Sequence, residues 1–112
     1  MKFNKIDNMV KGWFVGDFLP SIYKTTNFEV AIQNYKKNQI EIPHYHKKAH
    51  EITVVISGKV SINNKILDEG GIVLVYPDEI VEFKALENSK TLVVKFPSAK
   101  NDKYLDKNKN NA

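Results

Sequence analysis

The chain of 112 residues contains no cysteine, which excludes disulfides, zinc–thiolate sites and thiol catalysis. It contains no arginine either: all 17 basic residues are lysines. Specific base readout leans on the bidentate arginine fork, so no nucleic-acid partner is expected despite a net charge of +4. Lys100, Lys103, Lys107 and Lys109 carry much of that charge. They lie in a Lys/Asn-rich end, residues 100–112, that reads as a solvated polar tail. No apolar run is long enough to cross a bilayer, so no membrane partner is expected. The first ten residues hold Lys2 and Lys5 but no apolar stretch of signal-peptide type. Nothing argues for export, and a cytoplasmic location is the expectation.

A hydrophobic content of 42% suits one globular domain, placed over residues 1–99. Short β-favouring runs follow one another. Trp13–Phe18 ends before Pro20, and Phe28–Tyr35 has a mixed alternation. Ile52–Ile56 is β-branched, and Lys59–Ile62 follows after only Ser57-Gly58. Asn63-Asn64 reads as a hairpin turn, because Asn tolerates the left-handed backbone such turns need. Lys65–Leu67, Ile72–Tyr76, Val81–Leu86 and Thr91–Phe96 complete the set, separated by Asp68–Gly71, Pro77-Asp78 and Glu87–Ser89. Many short strands punctuated by Gly, Pro and Asn predict an all-β sandwich or barrel.

Ile52–Ile56 and Ile72–Tyr76 are apolar on both faces. Strand alternation puts Ile52, Val54 and Ile56 on one side and Thr53 and Val55 on the other. A barrel buries one side only, so the second is expected to pair with another copy, as a homodimer packed sheet against sheet.

The chemistry concentrates in Pro43-His44-Tyr45-His46-Lys47-Lys48-Ala49-His50-Glu51. On a strand, His44 and His46 share a face and are close enough to grip one ion. Glu51 opens the returning strand and would complete a set of two imidazoles and one carboxylate. Such a set leaves open positions and suits a first-row divalent ion. His50 and Glu51 are neighbours and point to opposite faces. If Glu51 enters the barrel, so do Thr53 and Val55, and His50 sits at the rim. Tyr35, Tyr76 and Phe83 are aromatics able to line a cavity, with core packing the commoner fate. Lys47-Lys48 can attract an anion to the barrel mouth.

His44, His46, Glu51 and Gly58 stand at H-x-H-x4-E-x6-G, and Gly71 and Pro77 at G-x5-P. This resembles the cupin superfamily, whose motifs run G-x5-H-x-H-x3–4-E-x6-G and G-x5-P-x-G-x2-H-x3-N. The resemblance covers about Asn38 to Phe96. It implies a double-stranded β-helix, or jelly-roll barrel, with one divalent metal ion (Fe, Mn, Zn or Ni) on His44, His46 and Glu51. It also implies turns at Gly58, Gly71 and Pro77, and dimers formed through the sheets. Asn38 replaces the first Gly of the first motif. Glu79 takes the second-motif Gly position, Glu82 the position of the fourth ligand, normally His, and Leu86 that of the closing Asn. Glu82 is therefore a candidate ligand or general base, and His50 a second candidate acid–base group. The functional expectation is a small-molecule metalloenzyme, dioxygenase-like or sugar/keto-acid isomerase-like. The alternatives are a non-catalytic ligand-binding module and a purely structural barrel. Fold alone does not choose among them.

Overall fold

The computed structural model describes residues 1–106. After a single 3-10 turn at Ile6–Asn8 the chain is strands throughout. The strands are β1 (Trp13–Gly16), β2 (Tyr23–Lys24), β3 (Glu29–Tyr35), β4 (Ile40–His46), β5 (His50–Ser57) and β6 (Lys59–Ile62). They continue as β7 (Lys65–Asp68), β8 (Ile72–Val75), β9 (Val81–Ala85), β10 (Ser89–Phe96) and β11 (Lys103–Leu105). Two sheets form. One has the order β2-β1-β3-β10-β5-β8, the other β11-β4-β9-β6-β7. This is the all-β barrel expected from the strand pattern. Among the described residues no helix is long and apolar enough to cross a membrane.

The turns form where the local chemistry dictates. Asn63 and Asn64 have φ of 49° and 66° and join β6 to β7 in a two-residue hairpin. Asn38 has φ 72°, so it does adopt the left-handed backbone of the Gly it replaces. Gly58 has φ 90°, and a Cβ there would collide with Ser89, whose Oγ accepts the Lys59 N–H at 3.0 Å.

β10 is the central strand of the larger sheet, paired with β3 on one side and β5 on the other. Alternation along these strands sends Tyr35, Val55, Thr91 and Val93 inward. Tyr35, Val55, Val60, Ile62, Val81, Phe83 and Ala85 form one buried cluster, with Leu67, Val73 and Val75 packed against it. The inward positions nearer β4, β11 and the start of β5 are polar instead. The barrel therefore has an aliphatic end that stabilises it and a polar end that holds the chemistry.

The polar end departs from expectation at residues 100–106. They are not a solvated tail. β11 adds to the edge of the smaller sheet, pairing Lys103 with His46, Tyr104 with Tyr45 and Leu105 with His44. Tyr104 stacks on Tyr45 with ring centroids 5.4 Å apart, and Lys47 Nζ sits 4.5 Å over the Tyr104 ring. These contacts were invisible locally, because each joins residues more than fifty positions apart. The expected tail beyond residue 106 lies outside the described residues.

Candidate metal centre

β4 carries both histidines. His44 and His46 are two apart on an extended strand, share the inward face, and are each 4% exposed. Their rings meet edge to face with centroids 5.4 Å apart. The chain then reverses through Lys47–Ala49, and Glu51 returns on β5. Its Oε2 lies 3.7 Å from His46 Nδ1. One ligand atom from each of His44, His46 and Glu51 falls within 4.8 Å of the others.

Asp102 holds the reversal in place. Its buried carboxylate accepts the backbone N–H groups of Lys47 at 3.1 Å, Lys48 at 3.1 Å and Ala49 at 2.9 Å. Those donors would otherwise be orphaned in a tight turn. Asp102 thus fixes the geometry between His46 and Glu51 from the far end of the chain.

The donor set fits a metal ion. The Ile42 carbonyl, which can only accept, lies 3.1 Å from His44 Nδ1, so that nitrogen carries the hydrogen and Nε2 keeps its lone pair. His46 Nε2 is buried with no hydrogen-bond partner, an arrangement that is costly unless something coordinates it. Burial, reinforced by the Lys95 charge, pushes the His46 pKa down to about 4, and burial also lowers that of His44. Both imidazoles are therefore in the neutral, ligating form at neutral pH. Burial pushes the Glu51 carboxyl up against the opposing pull of Lys95. A divalent cation there would compensate the buried carboxylate and satisfy the orphaned nitrogen together.

The group opens on an internal cavity of about 340 Å³. Thr53, Val73, Val75 and Thr91 line it from the larger sheet, and Ile62, Val81 and Phe83 from the smaller. Tyr35 packs against Phe83 with centroids 4.5 Å apart. Tyr35 Oη lies 2.7 Å from both Gln33 Oε1 and Glu41 Oε1, two acceptors that compete for its one hydrogen. Burial first, then the charge and hydrogen bond of Glu41, raise the Tyr35 pKa far above its ordinary value. The phenol holds its proton at any physiological pH.

The remaining residues singled out from sequence lie elsewhere. Glu82 sits between inward-facing Val81 and Phe83 on β9, and alternation turns it to the outer face. The fourth-ligand and general-base roles expected of it do not fit this placement. His50 faces the outside of the larger sheet, stacked on Phe96 with centroids 5.2 Å apart and edge-on to Tyr76 at 5.6 Å. It lines no part of the cavity, and the acid–base role expected of it does not fit this placement. Tyr76 is 55% exposed and lines no part of the cavity.

Sequence reasoning missed Gln33, Glu41, Thr91, Lys95, Lys103 and Asp102. Glu41 is instructive. Counting back by twos from His44 puts residue 41 outside. The pairing of β4 with β9 shifts register between Glu41 and His44, and this irregularity turns both side chains inward. Pro43, which cannot donate to a ladder, is the one local signal for such a break.

No protein-family model matches the sequence, and no curated protein sequence matches it. Solved structures do match. An uncharacterized conserved protein with a double-stranded beta-helix domain from Klebsiella pneumoniae superposes with a TM-score of 0.65 at 21% identity, over 72% of this chain and 71% of that one. A cupin protein from Bacteroides fragilis gives 0.56 at 22% identity, over 71% and 74%. The DMSP lyase DddQ from Ruegeria pomeroyi gives 0.70 at 12% identity, over 84% of this chain and 49% of the lyase, so the chain spans about half its length. These likenesses establish the fold: a double-stranded β-helix of the cupin type.

Proposed function

We propose that this cupin-type barrel holds one divalent metal ion on His44, His46 and Glu51 and is a metalloenzyme acting on a small molecule. The observation that carries the reading is the buried, unpartnered Nε2 of His46 within that three-residue group. Iron, manganese, zinc or nickel in such a set would supply Lewis-acid or redox chemistry at its open positions. The DMSP lyase likeness supports small-molecule chemistry on this scaffold. Dioxygenase-like and sugar/keto-acid isomerase-like reactions both suit a set of two imidazoles and one carboxylate.

With Glu82 and His50 outside the cavity, Tyr35 supplies a hydroxyl donor that lines it. Its hydroxyl hydrogen is held at Oη, within 2.7 Å of Glu41. The phenol stays protonated and can donate a hydrogen bond to a ligand oxygen in the cavity it lines. Ligand binding without turnover is the competing reading. What favours it is that both acid–base groups expected from sequence stand outside the cavity.

Metal analysis of untagged protein beside His46→Ala tests the site. The variant is expected to lose metal about tenfold or more. Equal metal content in the two would remove the proposed centre. Turnover by the loaded wild type that falls in Tyr35→Phe would support the enzyme over the binding module.

We also infer that two copies pair through the outer face of the larger sheet. Val30, Val94, Ile52 and Leu74 form one cross-strand row on that face, and Ile32, Leu92, Val54 and Ile72 the next. Ile72 is 65% exposed and Leu74 40% exposed on the edge strand β8. An aliphatic surface of this continuity is what a second copy would cover.

A further inference from the structure

The cavity beside the three-residue group has an unusual balance of charge. Lys11, Lys95 and Lys103 line it, against Glu41 and Glu51. Lys95 is opposite Glu51 across the β5–β10 pair, and Lys103 is opposite His46 across the β4–β11 pair. Two ammonium groups therefore flank the ligand set from two different sheets. Lys95 is braced by Glu29 at 3.5 Å and by the Trp13 ring at 4.8 Å, so its position is fixed by neighbours on β1 and β3. Lys103 is on β11 and exposed, at the mouth of the cavity.

With a divalent ion on the ligand set, three ammonium groups and the ion outweigh the carboxylates of Glu29, Glu41 and Glu51 by two charges. A cavity with that excess favours an anion, and its low-dielectric walls strengthen the preference. A second feature points to a polar ligand. Thr91 lines the cavity, is 1% exposed, and its Oγ1 has no hydrogen-bond partner. A buried hydroxyl without a partner is costly unless a ligand or ordered water completes it. At about 340 Å³ the space suits a molecule of roughly ten non-hydrogen atoms, taking ~30 Å³ for a water-sized group.

We propose that the substrate is a small organic acid whose carboxylate is held between Lys95 and Lys103 beside the metal, with Thr91 Oγ1 as a further hydrogen-bonding group. The proposal rests on the metal reading above and adds the chemical class of the ligand. A neutral sugar of the same size would leave the excess of two positive charges around the ion uncompensated. The Lys47-Lys48 pair at the turn below Lys103 adds long-range attraction for anions but touches no part of the cavity.

The test uses cobalt-reconstituted full-length protein, malonate as the anionic probe and malonamide as its neutral counterpart. Malonate is expected to shift the visible absorption of bound cobalt in a saturable way, with cobalt retained through gel filtration, and malonamide is not. Lys103→Gln and Lys95→Gln are each expected to weaken malonate about tenfold while cobalt content is unchanged. Equal response to malonate and malonamide, or unchanged malonate affinity in both variants, would overturn the substrate class and leave the metal site standing. A wild-type protein that takes up no cobalt would overturn the metal reading, and the substrate class with it.

Discussion

Asp102 shows how a single carboxylate at the end of the chain organises a site near its middle. Burial alone would push its carboxyl up. The N–H donors of Ala49, Lys48 and Lys47 outweigh burial and hold it below its ordinary 3.8. A group depressed in the folded state stabilises the fold above its unfolded pKa. That contribution is lost as pH falls through the folded value. Asp102→Asn replaces one acceptor oxygen with an amide that cannot accept, and is expected to cost about 2 kcal/mol at neutral pH. Urea unfolding of metal-free protein should show that gap, and it should narrow as pH drops below 3.8. A gap that persisted undiminished in acid would mean the carboxylate charge is not what the turn uses. At this scale the sequence was legible in part. His44, His46 and Glu51 announce themselves because strand geometry converts their spacing into proximity. Lys95 and Lys103 reach the same place through strand pairings, and Asp102 through hydrogen bonds to the turn, all between residues far apart in the chain, and no local pattern encodes those.

The strands themselves were largely readable, and their breaks explain the rest. β6 runs over Lys59–Ile62 as its β-branched pattern requires, and the Asn63-Asn64 turn fixes its register with β7. Both turn residues have positive φ, 49° and 66°, where Asn pays a small steric penalty that Gly escapes. Asn63 also uses its side chain: Nδ2 donates to the Ile80 carbonyl at 2.9 Å, and Oδ1 accepts the Glu82 N–H at 2.8 Å. Asn64 has no such duty among the bonds described. Asn64→Gly is therefore expected to raise stability by about 0.5 kcal/mol, and Asn63→Gly to lower it, in thermal melts. Equal effects of the two would show that backbone preference alone governs the hairpin. The same logic of local breaks explains why β11 went unseen. Three residues, Lys103–Leu105, offer too short a pattern to distinguish a strand from a solvated tail. It forms because the exposed edge of β4 supplies a template and Tyr45 a ring to stack on.

At the scale of the molecule, the two-faced strands are the feature that sequence read most directly and that one chain leaves unresolved. Inward Thr53 and Val55 close the barrel, while outward Ile52 and Val54 join Val94, Leu92, Leu74 and Ile72 in a sheet of aliphatic side chains. Burial of a side chain of this kind is worth about 1.5–3 kcal/mol, so a second copy that covers several of them supplies a strong drive to associate. The cavity opens on the opposite side of the sheet from this face, so assembly and ligand access do not compete. Leu74 is 40% exposed, so a charge there leaves the single chain intact and opposes only the paired one. Light scattering of the wild type is expected to give about twice 12.9 kDa, and Leu74→Lys about the single-chain mass with an unchanged far-UV spectrum. Because the ligand set lies within one barrel, the variant should also keep its metal. A wild type that stays at single-chain mass when concentrated would leave that aliphatic face for some other partner. A Leu74→Lys monomer that loses metal would place the second copy in the site itself.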